Sequence, residues 1–453
     1  MFNQNPINVG LVKTKNRLIK SKIPAPGTKK ILSSLKKNEV RSMHGQLPII
    51  WKKAEGFNIY DISNNKYIDF TSTIFVSNIG HSNNYLKSQI IRTLKSNLIS
   101  TYAYVHKIRE KYIKELVKFC GKNFEKAFLL SSGSEATEAC LKIMRMYGIK
   151  NKKKPGILTI SGNWHGRTMG SQFLSDNSTQ SEWIGHKDKN IFHLRFPYPW
   201  LYKNKKDCNQ ILDEDLKKLS KKINLKKDIS GIMLETFQGW GALFYPIEYV
   251  NKLNKFCKKN KILIAFDEIQ SGFARTGKKF GFEYYKIKPD LICCGKGMGG
   301  GIALSAVIGK KNIMDLPTIG SMSSTHSANP IACSAGLAVL KEIKKKDLVK
   351  KSFLRGKLLK KKLTEIKSSF PDLVKHISCK GLIGAIIFKD FAGKNTNEII
   401  GNICEKCMQK GLLVVYTGRE SIKLGPPLVI SSEAIIEAMN IIKESIVEVI
   451  KDN

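Results

Sequence analysis

Short apolar segments alternate with longer segments of helical spacing through the middle of the chain. Six segments are mostly apolar and predict buried strands: 127–130, 156–160, 229–234, 262–266, 291–294 and 303–308. Apolar residues recur at helical spacing at 134–147 and 247–260, so helices are expected there. Apolar strands that alternate with helices are typical of a mostly parallel sheet covered on both faces. The pattern therefore predicts an α/β domain in the middle of the chain.

The two ends of the chain follow a different pattern. Residues 1–45 are polar and basic and predict an extended arm with a short helix. Alternating segments then predict strands at 48–51, 57–60 and 67–70, with a hairpin turn at Asn64-Asn65. The last third predicts an α+β arrangement, with helices at 329–350, 352–369 and 432–451 and strands at 382–388 and 412–415.

The length of the chain indicates more than one domain. Its 453 residues exceed the ~250–300 residues at which a single hydrophobic core stops growing. We expect an N-terminal arm with small-domain strands at 1–70, a large domain at 71–335 and a smaller C-terminal domain at 336–453.

Lysine gives the chain a formal net charge of +40, and only ten of its 77 basic residues are arginine. Such a charge could attract nucleic acid or a membrane surface. However, the lysine runs 152–154, 344–346 and 360–362 are scattered, and arginine, which usually reads bases and grips phosphates, is scarce. We therefore favour lysines on solvated faces, with neither nucleic acid nor a membrane as partner.

The ten cysteines do not form a disulfide framework. Several, such as Cys120, Cys140 and Cys333, lie in apolar or helical segments, which is typical of buried thiols in a reducing compartment. Cys404 and Cys407 form a CxxC, but a zinc site of this kind needs a second pair, so we expect no metal. The polar first 22 residues lack the apolar region of a signal peptide, and we expect a cytoplasmic protein.

Three short segments carry candidate chemistry, and each follows a predicted strand. Gly133 and Ser134 open a predicted helix, so their N–H groups can bind an anion such as phosphate. Asp267 follows strand 262–266, at the strand end where ligands bind in a wound sheet. Lys296 lies among glycines and other small uncharged residues, where the pKa of a lysine tends to fall, as Schiff-base chemistry requires. An ordinary helix start, a turn aspartate and a surface lysine are the alternative interpretations.

Seven motifs, taken in order, resemble those of the class III aminotransferases of pyridoxal phosphate (PLP) fold type I. They are SGSEATEA from Ser132, WHGRT from Trp164, Glu235 with Gln238-Gly239, FDEIQSGFARTG from Phe266, GKG from Gly295, STHSANP from Ser324 and PPL from Pro426. The resemblance extends from about Gly56 to the C-terminus. It implies an α/β large domain with a mixed, mostly parallel seven-stranded sheet, and a smaller α+β domain.

The resemblance also implies roles around the PLP ring. Lys296 would form the Schiff base with PLP and move protons between substrate and cofactor, while Asp267 would pair with the pyridine nitrogen. Gln270 would lie near the ring oxygen. Trp164 would stack on the ring, where the family usually has Phe or Tyr, and His165 would belong to the same cofactor site.

At the phosphate end, the resemblance assigns Gly133 and Ser134 to the cofactor phosphate. Thr325 would reach the phosphate held by a partner subunit, which implies a homodimer with shared active sites. Glu235 would support the Asp267 region or the substrate side. A hydrogen-bonded carboxylate with a purely structural role remains an equal alternative for Glu235.

Two departures from the family's pattern bear on the substrate. Many members have an arginine three residues before the Pro-Pro pair, where it binds a substrate carboxylate, and this chain has Lys423. Lysine keeps the charge but loses the two-point grip of arginine, so either Arg419 serves instead, the carboxylate is held less strictly, or one substrate has none. Trp240 replaces a glutamate that often gates that arginine, and Phe75 falls where the family lines its substrate pocket.

These observations predict a PLP-dependent aminotransferase that moves an amino group from an amine or amino acid, with a terminal amine favoured, to a 2-oxo acid. A PLP-dependent lyase acting on a phosphorylated amine, or an epimerase, is the alternative on the same scaffold. A basic nucleic-acid-binding protein without catalysis is the alternative from another class.

Overall fold

The computed structural model describes residues 2–202, 207–391, 393 and 395–451. The chain divides into two compact units. The small unit comprises Met1–Asn84, Trp240–Ala242 and Leu348–Asn453, and the large unit comprises Tyr85–Gly239 and Leu243–Asp347. Within the described residues, no helix combines the length and the apolar character needed to cross a membrane.

A seven-stranded sheet forms the centre of the large unit. From edge to edge its strands are Lys126–Leu130, Ser305–Gly309, Leu291–Cys294, Leu263–Asp267, Ile229–Glu235, Gly156–Ile160 and Ile191–Leu194. The strand Ser305–Gly309 runs antiparallel to both of its neighbours, and the other neighbouring pairs are parallel. The sheet is therefore mixed and mostly parallel, which confirms the predicted fold class.

Helices accompany this sheet in the large unit. They are Asn84–Leu94, which begins in the last residue of the small unit, Lys107–Cys120, Gly133–Lys150, Met169–Leu174, Ser178–Ser181, Cys208–Ser220, Leu225–Asp228, Ile247–Lys259, Lys311–Met314 and Pro330–Lys345. Short 3₁₀ turns lie at Glu182–Ile184, Gly281–Tyr285 and Lys296–Met298, and Phe237–Gln238 pairs with Leu243–Phe244. The helix Gly133–Lys150 packs on the sheet because Ala136, Cys140 and Met144 share one buried apolar cluster with Met233.

The small unit contains two further sheets. One has the strands Val12–Lys13, Leu18–Ile19, Lys66–Asp69, Asn58–Asp61 and Trp51–Glu55, with Leu412–Leu413 added parallel to Lys66–Asp69. The other is antiparallel, with the strands Val374–Lys380, Ile383–Phe388, Ser421–Leu424 and Val415–Tyr416. Helical segments lie at Thr28–Asn38, Arg41–Met43, Ser72–Phe75, Leu348–Ser369, Thr396–Gln409 and Ser432–Lys451.

Three details correct the sequence-based predictions. The strand expected at 48–51 lies at Trp51–Glu55, an edge strand that is mostly exposed and is defined by its pairing with Asn58–Asp61 rather than by an apolar pattern. The apolar run 412–415 serves two sheets rather than one, pairing with Lys66–Asp69 and then with Ser421–Leu424. The N-terminal arm contains a two-stranded pairing at residues 12–19, which backbone hydrogen bonds form without an apolar pattern.

Candidate active site

Lys296 opens the 3₁₀ turn that follows the strand Leu291–Cys294. Its φ of +42° is left-handed, a conformation that costs roughly 1–2 kcal/mol for a residue other than glycine and that concentrates at functional sites. Burial lowers the pKa of the Lys296 ammonium below its ordinary value, while the carboxylates of Asp267 and then Glu235 oppose that shift. The lysine is therefore an amine that loses its proton readily and lies within electrostatic reach of two acids.

Asp267 is the last residue of the strand Leu263–Asp267, in the middle of the sheet. Its Oδ2 lies 2.9 Å from the Nδ1 of His165, and its Oδ1 accepts a hydrogen bond of 3.0 Å from the Ile269 N–H. Both side chains of the Asp267–His165 pair are almost completely buried. The carboxylate is therefore fixed at the carboxyl end of the strand, where the sequence placed it.

Glu235 ends the neighbouring strand and pairs in register with Asp267. Its Oε2 accepts hydrogen bonds from the backbone N–H of Trp164 at 2.9 Å and of Gly239 at 3.2 Å, and its Oε1 lies 3.4 Å from the Gln270 Nε2. A Cβ at position 239 would lie 2.7 Å from that Nε2 and 2.8 Å from Glu235 Oε1. A side chain at this position would have to displace the ends of Gln270 and Glu235, and Glu235 holds the Trp164 backbone in place.

The first turn of the helix Gly133–Lys150 has the geometry of an anion site. A capping box fixes this helix start: Ser132 Oγ accepts from the Glu135 N–H at 3.2 Å, and Glu135 Oε2 accepts from the Ser132 N–H at 2.6 Å. The N–H groups of Gly133 and Ser134 lie in the first turn, where a helix has no intrahelical acceptors for them. Ser134 Oγ accepts a 3.2 Å bond from the Arg167 N–H.

Thr325 follows a residue that contacts this helix start. The hydroxyl of the preceding residue, Ser324, donates a 3.0 Å hydrogen bond to the Oε1 of Glu135, and Glu135 belongs to the capping box. Thr325 itself is exposed on the single chain.

Pyridoxal phosphate fits the residues of the large unit. Lys296 offers an amine of lowered pKa, Asp267 offers a fixed carboxylate, and the helix start at Gly133 offers N–H donors for a phosphate. The indole of Trp164 offers a flat apolar surface, with the Arg167 guanidinium carbon 4.7 Å from the ring centroid. At Gly239 the ends of Gln270 and Glu235 approach the backbone closely, and Glu235 also binds the backbone of Trp164.

The four residues predicted to meet the substrate lie in the small unit and form two cation–aromatic pairs. Phe75 ends a left-handed turn in which Ser72, Thr73, Ile74 and Phe75 have φ between +46° and +68°. The Lys423 Nζ lies 4.8 Å from the centroid of the Phe75 ring, and Lys423 is buried. A cation over a ring is stabilised by the ring's negative face.

Arg419 and Trp240 form the second pair. The Arg419 guanidinium carbon lies 4.3 Å from the centroid of the Trp240 ring, and the Arg419 side chain is partly exposed. Ser421 fixes the backbone of Trp240, because the Ser421 Oγ donates a 2.6 Å hydrogen bond to the Trp240 carbonyl. Each of the two cations proposed for carboxylate binding therefore lies over one of the two aromatic side chains proposed for the substrate pocket.

Sequence reasoning missed several buried polar residues. Asn163 contacts His165, Glu268 accepts a hydrogen bond from the Thr236 hydroxyl, and Asp69 pairs with His81 at 2.6 Å beneath the left-handed turn. An Asn two residues before a motif histidine, and a second acid directly after Asp267, were visible in the sequence. The partners that give these residues a role are distant in the chain and were not visible.

Glu268 provides a pH-dependent test of this region. The carboxylate is buried and accepts four hydrogen bonds, from Thr236 Oγ1, Ser271 Oγ and the N–H groups of Gly281 and Phe282. Burial nevertheless raises the pKa of Glu268 to about 7, above the 4.5 of an ordinary glutamate. The folded state therefore binds a proton more tightly than the unfolded state does, and the stability that this provides is lost as the pH rises from about 4.5 to about 7.

We expect the unfolding free energy of the native chain to fall relative to that of Glu268→Gln across this pH range, by on the order of 3 kcal/mol. Because glutamine does not titrate, the difference between the unfolding free energies of the two proteins cancels the contributions of the other titratable groups. Denaturant titrations of both proteins at about pH 4.5, 5.5, 6.5 and 7.5 would measure the difference, because this range runs from the pKa of an ordinary glutamate to just above that of Glu268. If the unfolding free energies of the two proteins changed in parallel with pH, the pKa of the Glu268 carboxyl would not be raised.

Comparison with known proteins places the chain in a family. The family model described as aminotransferase class-III matches residues 40–446. The mitochondrial acetylornithine aminotransferase of Candida glabrata is 32% identical over 400 residues, covering 86% of this chain and 88% of that protein. The ornithine aminotransferase of Emericella nidulans is 29% identical over 411 residues, covering 89% and 87%.

A solved structure shows the same fold. The amine transaminase from an uncultivated Pseudomonas species, in its PLP-bound form, superimposes with a TM-score of 0.81 at 23% identity, covering 91% of this chain and 97% of that chain. The chain therefore belongs to the class-III aminotransferases of fold type I, which use pyridoxal phosphate to move an amino group from an amine to a 2-oxo acid.

Proposed function

We propose that Lys296 and Asp267 carry the amino transfer, and that the donor presents a terminal amine together with a carboxylate. The observation that most directly supports the role of Lys296 is its lowered pKa beside Asp267 and Glu235. Bound pyridoxal phosphate supplies an electron sink, which acidifies the carbon–hydrogen bond next to the transferred nitrogen. The chain's own residues then have to bind, orient and move protons.

Each residue has a distinct part in this proposal. Lys296 Nζ accepts and returns a proton, which an amine of lowered pKa does near neutral pH. Asp267 keeps a negative charge for the ring nitrogen, held by His165. Glu235 and Gln270 hold the Trp164 backbone and the Gly239 turn, and Gly133 and Ser134 bind the phosphate.

Lys423 and Arg419 are proposed to bind the substrate carboxylate. Two relatives are named for acetylornithine and ornithine, both of which carry a carboxylate and a terminal amine. Lys423 is buried over Phe75, and a buried cation that meets an anion is worth more than an exposed one. Arg419 is more exposed and stacks on Trp240, so we assign it the weaker contribution.

A half-reaction screen tests this assignment. Purified enzyme is mixed with ornithine, acetylornithine, 4-aminobutyrate, phosphoethanolamine or a diamine without a carboxylate, and the change in cofactor absorbance is followed. We expect Lys423→Met to raise the KM for carboxylate-bearing donors roughly tenfold or more and to leave the diamine nearly unchanged. Lys361→Met, at an exposed position on the helix Leu348–Ser369, is the matched control.

Two results would overturn the assignment. Equal losses on donors with and without a carboxylate would show that Lys423 supports the fold rather than the substrate. Release of ammonia or phosphate without any change of cofactor absorbance would favour a lyase.

We also propose a homodimer in a reducing compartment, with the cytoplasm as the location. Several apolar side chains of the large unit are exposed on the single chain: Ile99, Tyr104, Val105 and Ile319. We propose that a second copy covers these side chains together with the exposed Thr325. The ten free cysteines suit a reducing compartment. Sedimentation equilibrium is expected to give the mass of two chains, and a monomeric holoenzyme with full activity would contradict the shared site.

A further inference from the structure

Three buried polar side chains form a line within the large unit: Asn163, His165 and Asp267. The Asn163 Nδ2 lies 3.3 Å from the His165 Nε2, and the His165 Nδ1 lies 2.9 Å from the Asp267 Oδ2. Asn163 and His165 are 2% exposed and Asp267 is 6% exposed. We propose that Asn163 is a positioning residue that keeps the single proton of His165 on Nδ1, and thereby keeps the full negative charge of Asp267 available to the cofactor.

The backbone around His165 leaves the ring little freedom to move. The His165 N–H donates to Ser175 Oγ at 2.8 Å, and the His165 carbonyl accepts from Thr137 Oγ1 at 2.9 Å. The neighbouring Trp164 N–H donates to Glu235 Oε2. With the ring fixed between Asn163 and Asp267, what can still change is which of its nitrogens carry protons.

The amide of Asn163 decides between two protonation states. Its NH₂ group only donates, so an NH₂ facing Nε2 requires an unprotonated Nε2 and places the single ring proton on Nδ1, facing Asp267. The reversed amide would offer its oxygen to Nε2 and favour an imidazolium with a proton on each nitrogen. The first arrangement leaves a net charge of −1 on the His165–Asp267 pair, and the second leaves none.

The surroundings of Tyr245 bear on the orientation of the Asn163 amide. The Asn163 Oδ1 and the Tyr245 hydroxyl are both buried without a hydrogen-bond partner in the part of the chain that the structure describes. Burial raises the pKa of Tyr245 well above its ordinary value, while the Asn163 side chain opposes that rise. An amide that lowers the pKa of a phenol presents its NH₂ group to it rather than its oxygen, which agrees with the first orientation.

The consequence for the cofactor rests on the proposed role of Asp267. A buried imidazolium would neutralise Asp267 and weaken its attraction for a protonated ring nitrogen. A neutral His165 donates one hydrogen bond, orients the carboxylate and leaves its charge intact. Other ionisable groups act on this line as well: Lys296 interacts with Asp267 and Glu235, and His193 interacts with His165.

The direct test reads the protons of His165. Magic-angle-spinning NMR of the holoenzyme, labelled with ¹⁵N in its histidine rings, distinguishes a protonated ring nitrogen from an unprotonated one, and His165→Gln identifies the signal. We expect one protonated nitrogen, Nδ1, in the native enzyme. Asn163→Asp replaces the donor with an acceptor, so it is expected to protonate both nitrogens and to weaken cofactor binding roughly tenfold.

Asn254→Asp is the matched control, because Asn254 also has a buried Oδ1 without a partner among the described residues but lies on the helix Ile247–Lys259. Asn254→Asp should change neither the protonation of the His165 ring nor the affinity for the cofactor. Two protonated nitrogens in the native enzyme would overturn the proposal, and this measurement needs no variant of Asn163. Unchanged cofactor affinity in an Asn163→Asp enzyme with a doubly protonated His165 would overturn it as well. Borohydride reduction reports separately on the proposed function, because failure to fix the cofactor on Lys296 would refute that function and not the role of Asn163.

Discussion

Replacing Lys296 with alanine is expected to slow amino transfer by on the order of 10⁴-fold. In the proposed function the lysine provides a covalent attachment point for the cofactor and a proton carrier, and its pKa is lowered beside Asp267 and Glu235. Alanine supplies neither, and no water could occupy the same position with the same basicity. The fold should survive, because the left-handed φ of +42° at this position already costs energy that a smaller residue does not increase.

The measurement follows the absorbance of the bound cofactor in a single turnover with a good donor. Borohydride reduces the C=N bond of a lysine Schiff base to an amine, so the native enzyme should lose its visible colour but keep the reduced cofactor through denaturing dialysis, and Lys296→Ala should release its cofactor. Lys288→Ala, at an exposed position in the same unit, is the control and should behave as the native enzyme does. A Lys296→Ala enzyme within about tenfold of the native rate, a loss of about 1.4 kcal/mol, would remove Lys296 from the chemistry.

The central sheet was predictable because its buried strands consist mostly of apolar residues. The strand Leu263–Asp267 is buried at every position, so its apolar residues stand out without knowledge of their neighbours. The edge strand Ile191–Leu194 was missed, since only Leu194 is fully buried and His193 is exposed. A strand at the edge of a sheet is defined by pairing with one neighbour, which sequence periodicity does not record.

The active-site residues divide in the same way. Lys296, Asp267 and Gly133 lie in short motifs whose chemistry is local, so the sequence could propose them, and the matched family confirms the class of reaction. Glu268 is held by Thr236, Gly281 and Phe282, which meet only in the folded chain. The two cation–aromatic pairs at Phe75 and Trp240 also join residues more than 150 positions apart in the sequence. Their pairing depends on tertiary structure, and no local sequence pattern predicts it.

Asp267→Asn is expected to lower the rate of amino transfer by about 10³-fold, which corresponds to about 4 kcal/mol of lost transition-state stabilisation. Asparagine keeps the size of the side chain and can still meet His165 Nδ1, which lies 2.9 Å from the native carboxylate. It removes the negative charge, however, and a cofactor ring nitrogen that is no longer held in its protonated form withdraws electrons less strongly.

The pattern of losses distinguishes this role from a structural one. Cofactor binding should weaken only modestly, because Lys296 and the N–H groups at Gly133 and Ser134 remain. Asp290→Asn is the matched control, since Asp290 is a carboxylate of the same unit that pairs with Lys310 at 2.9 Å. If Asp267→Asn lost its cofactor completely but recovered the native rate with excess pyridoxal phosphate, Asp267 would be a binding group. A rate that stays low at saturating cofactor, with colour retained, is what a charge required for the chemical step produces.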